Sequence, residues 1–119
     1  MTKFIFLSIF SLFLLAPEET IEWGNSTEYD FETIAQGIPK THEFLFKNTH
    51  DEPVIIETIR TTCGCTVPEW SKEPVLPDSL GSIKLQYDAK KLGYFRKKIR
   101  VFFTHQRKPE LLFIEGFVE

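Results

Sequence analysis

Basic charge, histidine, cysteine and helical spacing are all scarce in this chain, and each scarcity removes a class of function. Lys and Arg number 14 against 17 Asp and Glu, a formal net charge of −3, so the broad basic surface that nucleic acid requires is missing. The length of 119 residues suits one globular domain and excludes a multidomain enzyme. The three histidines, His42, His50 and His105, lack zinc-ligand spacing and read as solvated surface residues. Asp30, Asp51, Asp78 and Asp88 lie beside turns, where capping and solvation account for them, and no Ser, His and Asp set forms a catalytic motif. The expectation is a protein that is not an enzyme and that takes no cofactor.

One apolar run is present, Phe4 to Ala16, interrupted by Ser8 and Ser11 and preceded by Lys3. A charged start followed by roughly 7 to 15 apolar residues is the plan of a secretory signal, whereas a membrane-spanning helix needs about 20. Residues 1–16 are therefore expected to direct export, with Pro17 hindering cleavage after Ala16. Left uncleaved, this segment is the chain's one expected contact with a membrane. No cysteine follows the run, which argues against a lipoprotein signal. Residues 17–27 read as a lead-in and residues 28–119 as the folded domain.

From Ile21 onward apolar residues recur mostly at every second position, the period of strands half buried in a sheet. Phe44 and Phe46 alternate with Glu43 and Lys47; Ile83, Leu85 and Tyr87 alternate with Lys84 and Gln86; Phe95, Ile99, Val101 and Phe103 oppose Arg96, Lys98 and Arg100. Leu112, Ile114 and Val118 are expected inward, which puts Phe113 and Phe117 on the other face, in need of a neighbour's cover or an interface. Turn signals such as Gly37-Ile38-Pro39, Leu92-Gly93 and Gln106 to Pro109 separate the runs by about one strand length. About seven antiparallel strands without crossover helices imply an all-β, two-sheet sandwich. Trp23 and Trp70, each near a turn, read as core fillers ahead of ligand platforms. Leu45 and Phe102 fall on the wet faces of their strands.

Both cysteines lie in Thr61-Thr62-Cys63-Gly64-Cys65-Thr66-Val67-Pro68. In an extended strand Cys63 and Cys65 share a face with Cα atoms about 6.6 Å apart, near the upper limit for a disulfide, so bonding requires a bend that Gly64 can provide. Closing three residues restricts the unfolded chain by only about 1.6 kcal/mol, against about 3 kcal/mol for fifteen. Such a bond is a poor staple. Three readings stay open: an inert structural pair, a thiol-disulfide redox pair, or a copper(I) site on Cys63 and Cys65 with a third ligand from His42, His50 or His105. The candidate binding or redox residues are Thr62, Cys63, Gly64, Cys65, Thr66, Pro68 and Trp70.

The segment Thr62-Cys63-Gly64-Cys65-Thr66-Val67-Pro68-Glu69-Trp70, preceded by Tyr29-Asp30-Phe31-Glu32-Thr33-Ile34 and Glu43-Phe44-Leu45-Phe46-Lys47-Asn48-Thr49, resembles the domain of unknown function 1573 family. Lys72-Glu73-Pro74, Gly81 and Gly93-Tyr94-Phe95-Arg96-Lys97 extend the likeness over about Glu28 to Val118. The resemblance implies an immunoglobulin-like fold, similar to the domains of major sperm protein and cilia-associated proteins. It also implies export by a Gram-negative bacterium to the periplasm or cell envelope, and it implies no particular activity. Two positions depart from the family pattern: Glu32 stands where a glycine is common, and Gln106-Arg107-Lys108-Pro109 replaces an Asn-Asp type of turn. The functional expectation is an exported module that binds another envelope protein through sheet edges and loops. The alternative is redox or copper(I) handling by Cys63 and Cys65.

Overall fold

The computed structural model describes residues 20–119; the export segment expected at 1–16 lies outside them. Eight strands follow one another: β1 Ile21–Trp23, β2 Glu28–Ile34, β3 Lys40–Asn48, β4 Ile56–Thr61, β5 Thr66–Trp70, β6 Leu80–Tyr87, β7 Gly93–Phe103 and β8 Glu110–Val118. They form two four-stranded sheets, ordered β1-β3-β6-β5 and β2-β8-β7-β4. Among the described residues no helix is long and apolar enough to cross a membrane.

Alternation decides which side of each strand is dry. In β6, Ile83, Leu85 and Tyr87 are buried while Lys84 and Gln86 are exposed. In β7, Phe95, Ile99, Val101 and Phe103 are buried while Tyr94, Arg96, Lys98 and Arg100 face outward. The two dry faces interdigitate: Phe46 meets Phe103 edge-on at 5.1 Å, and Tyr87 stacks on Phe95 at 3.8 Å. Trp23 packs edge-on against Phe44, Phe46 and Phe103, so it fills the core. Fully burying each such side chain contributes about 1.5–3 kcal/mol.

Two close approaches require glycine, one under each sheet. Gly81 lies beneath the Phe46 ring, where a Cβ would overlap it. At Gly116 a Cβ would stand 2.9 Å from the Phe95 ring and 3.0 Å from the Glu32 carbonyl oxygen.

Two features differ from the arrangement expected of the sequence. The sandwich has eight strands because Ile21–Trp23, within the segment read as a lead-in, pairs antiparallel with β3; three residues are too few to display an alternation. The β2–β8 pair is parallel, whereas every other pair is antiparallel. Alternation specifies which face is dry and carries no information on strand direction. After β1 the chain crosses to the other sheet and lies along the outer edge of β8.

The Glu32 departure has a conformational counterpart. Glu32 has φ 62°, in the left-handed region that glycine enters without penalty. It sits where the β2–β8 register shifts between Asp30 and Thr33. Asp30 Oδ1 accepts the Glu32 N–H at 2.7 Å and holds this bulge.

Candidate functional site

β4 and β5 are edge strands of different sheets, so residues 62–65 form the crossover between them. Cys63 and Cys65 are joined as a disulfide with Cα atoms 5.3 Å apart, closer than an extended strand allows, because the chain turns at Gly64. Thr61 Oγ1 lies 3.0 Å from the Cys63 carbonyl oxygen and 3.4 Å from that of Thr66, sharing its proton between them. The Asp88 N–H donates to the Cys65 carbonyl at 2.9 Å. Both cysteines are half-buried, Thr66 is buried, and Thr62 and Gly64 are exposed. Cys65 and Trp70 pack against the core. In β5, Pro68 pairs with Leu85 and Trp70 with Ile83. Trp70 also lines a groove of about 630 Å³ beside Pro74, Leu76 and Gly81; the cysteines are not part of its wall. As a disulfide the pair offers no thiolate to a soft metal, so copper(I) binding there requires prior reduction.

None of the three histidines joins the cysteines. The His42 ring stacks on Tyr29 of β2 at 3.6 Å, and β2 and β4 are opposite edges of their sheet. Burial lowers the His42 pKa from its ordinary 6.5, opposed by the weaker pull of Glu43. His50 and His105 stack on each other at 4.7 Å, 9° from parallel. They lie near the start of β4, where Ile56 pairs with Phe103, and the cysteines follow its end. The sequence shows these two residues only as separate surface histidines, 55 positions apart (105 − 50), because distant loops bring them together.

The outer face of β2-β8-β7-β4 is the second candidate. Tyr94, 65% exposed, and Phe117, 47% exposed, are direct cross-strand partners. Beside them Arg96 Nη2 donates to Glu28 at 2.6 Å, Arg96 Nη1 lies 3.4 Å from Glu115, and the guanidinium stands 4.4 Å over the Phe113 ring. The Tyr94 hydroxyl donates to Glu115 at 2.7 Å, and that bond raises the phenol pKa. Farther along, Lys98 lies opposite Phe113, Arg100 opposite Leu111 on one side, and Arg60 on the other. Arg60 stands 5.6 Å over Phe102. Two cations directly opposite each other destabilise a sheet.

Two sheets in this order, with one parallel edge pair, make an immunoglobulin-like sandwich of the PapD type. The profile described as "Protein of unknown function (DUF1573)" matches residues 21–118, and the chain belongs to that family. Among solved structures it is similar to a protein of unknown function from Porphyromonas gingivalis W83, at 12% identity and TM-score 0.71 over 82% of this chain and 46% of that one. It therefore spans about half the length of that relative. The ASH / PapD-like domain of human CEP192 aligns at 10% identity and TM-score 0.71, covering 89% of this chain and 93% of that one. WR4, a C. elegans MSP family member, aligns at 3% identity and TM-score 0.54, covering 84% and 98%. At these identities the likeness establishes the fold alone. No curated protein matches the chain.

Proposed function

We propose that this protein is an exported, non-enzymatic module that binds a second protein of the bacterial cell envelope through the outer face of β2-β8-β7-β4. The observation that carries the reading is the solvent-facing Tyr94–Phe117 pair on one face with the Arg60–Arg100 rung. Aromatic side chains can each bury roughly 150–250 Å², and exposing two side by side forgoes that stabilisation. A partner presenting acidic and apolar side chains covers the aromatics and neutralises the opposed arginines. The neighbouring edge strand β4 offers unpaired backbone groups to an extended segment of such a partner. The apolar run at 4–16 and the export typical of the family support the periplasm or envelope of a Gram-negative bacterium as its location. The acidic net charge supports a protein partner over nucleic acid.

Crosslinking in the intact envelope tests this reading. A recurring adduct with one protein is expected from the natural chain and is expected to disappear in Tyr94→Ser/Phe117→Ser, with thermal stability little changed. Adducts with lipid alone, or a protein adduct indifferent to these substitutions, would overturn it.

A second reading rests on the disulfide. It closes only three residues, contributes little as a staple and is half-buried at a crossover. These properties suit exchange with a partner dithiol, which would become oxidised as Cys63 and Cys65 are reduced to thiols. Copper(I) could then occupy the reduced pair. Unchanged redox and copper phenotypes in Cys63→Ser/Cys65→Ser would count against it.

A further inference from the structure

We propose that His50, Glu52 and His105 form a binding site for zinc or a similar divalent transition-metal ion, at the end of the sandwich where the β3–β4 loop meets the β7–β8 turn. One ring nitrogen of each histidine and one Glu52 carboxylate oxygen lie within 4.8 Å of one another. His105 Nδ1 is 3.5 Å from Glu52 Oε2. A tetrahedral zinc ion holds nitrogen and oxygen ligands at about 2.0–2.2 Å, which spaces them roughly 3.3–3.6 Å from each other. This pair already stands at that spacing. The histidine lone pairs lie in the ring planes, so one of the two stacked rings turns about its Cβ–Cγ bond to converge with the other on one ion. His50 Nδ1 lies 3.2 Å from Asp51 Oδ1. The same Nδ1 accepts the Glu52 N–H at 3.1 Å, so metal binding through Nε2 moves the ring proton to Nδ1, where the Asp51 carboxylate accepts it in place of that contact.

The surrounding chain holds both halves of the site. Asn48 is fully buried, and its Nδ2 donates to the Glu52 and Val75 carbonyls at 2.9 Å while its Oδ1 accepts the His50 N–H at 2.8 Å. That ties the loop carrying His50 and Glu52 to the end of β3. On the other side, His105 has φ 66°, a left-handed conformation that glycine or asparagine adopts more cheaply. The Ile55 N–H donates to Thr104 Oγ1 at 2.9 Å, and the Thr104 N–H donates to the Ile55 carbonyl at 3.0 Å, locking that turn against the start of β4. A strained turn residue thus presents its imidazole to a buried-side histidine and an open carboxylate. Two imidazoles and one carboxylate favour zinc, copper(II) or nickel over magnesium and calcium, which prefer all-oxygen sets.

Isothermal titration of the purified full-length chain with zinc sulfate is expected to show one ion bound per chain. Asp51→Asn is expected to weaken binding about tenfold, and His105→Gly to weaken it further. The glycine relieves the left-handed turn, so that variant folds at least as well, and zinc is expected to raise the melting temperature of the natural chain but not of His105→Gly. Cys63→Ser/Cys65→Ser is expected to bind like the natural chain, which separates this site from the cysteines. No zinc binding, equal binding by His105→Gly, or an equal response to magnesium chloride would each overturn the assignment.

Discussion

The two sheets share a core and differ in what they show to water. On the outer face of β1-β3-β6-β5, Lys84 lies between Glu43 and Glu69, and Thr41 lies opposite Gln86. Leu45, Val67 and Leu80 are exposed there too, opposite Ser82, Gln86 and Lys47, and Leu80 at 69% is more exposed than Tyr94. On the outer face of β2-β8-β7-β4, an aromatic faces an aromatic at Tyr94–Phe117 and a cation faces a cation at Arg60–Arg100. Opposite charges across a strand pair stabilise it by about 0.2–1 kcal/mol, and like charges oppose it. The first face sets its charges opposite partners of the other sign and its apolar residues opposite polar ones. The second sets like groups opposite each other, offset in part by Arg60 over Phe102 and by the Tyr94–Glu115 bond, and it is the face the proposed partner would cover.

The comparison can be broken most severely at the aromatic pair. Tyr94→Ser/Phe117→Ser is expected to cost about 2 kcal/mol or more in partner binding, roughly thirty-fold in affinity, while Leu45→Ser/Val67→Ser on the other sheet leaves binding unchanged. Quantitative crosslinking yields against partner concentration check both. The inner faces, by contrast, should respond alike. Gly81→Ala pushes a methyl group into Phe46 and Gly116→Ala pushes one into Phe95, so denaturant unfolding is expected to show a loss of about 1–3 kcal/mol for each.

A charge reversal sharpens the contrast because its two effects have opposite signs. Arg100→Glu places a carboxylate opposite Arg60, which is expected to raise folding stability by about 0.2–1 kcal/mol and to weaken partner binding. The smallest effect concerns the open edge where the sheets meet. His42 has its pKa lowered by burial, so between pH 6.5 and the folded-state pKa the unfolded chain holds more protons. Stability is therefore fullest above pH 6.5 and falls as the pH drops through that window. His42→Phe is expected to flatten this limb of the pH–stability curve, as thermal melts at stepped pH would record.

Much of this architecture is legible in the residues because period-two alternation reports burial directly. Phe44, Phe46, Ile83, Leu85, Phe95, Ile99, Leu112 and Ile114 are all buried, as their spacing requires, and Phe117 is exposed for the same reason. The parallel β2–β8 pair and the three-residue β1 were not legible, since neither direction nor a strand that short leaves a periodic trace. Glu32 was visible as a departure from the family pattern, yet its positive φ emerges only with the bulge. The cysteine turn is partly legible: Gly64 marks the bend, whereas the distance of the histidines from it depends on where β3 places His42 and on how the loops carrying His50 and His105 fold. His50 and His105 meet through packing between loops that the sequence separates by four strands, β4 to β7.

The difference between the two outer faces is tested most directly by placing a photo-activated crosslinking amino acid, one position at a time, at Tyr94, Phe117, Leu45 and Val67, and irradiating intact cells. A protein adduct from the first two positions and none from the last two is the expected result. Equal adducts from both faces, or adducts from Leu45 and Val67 alone, would contradict it.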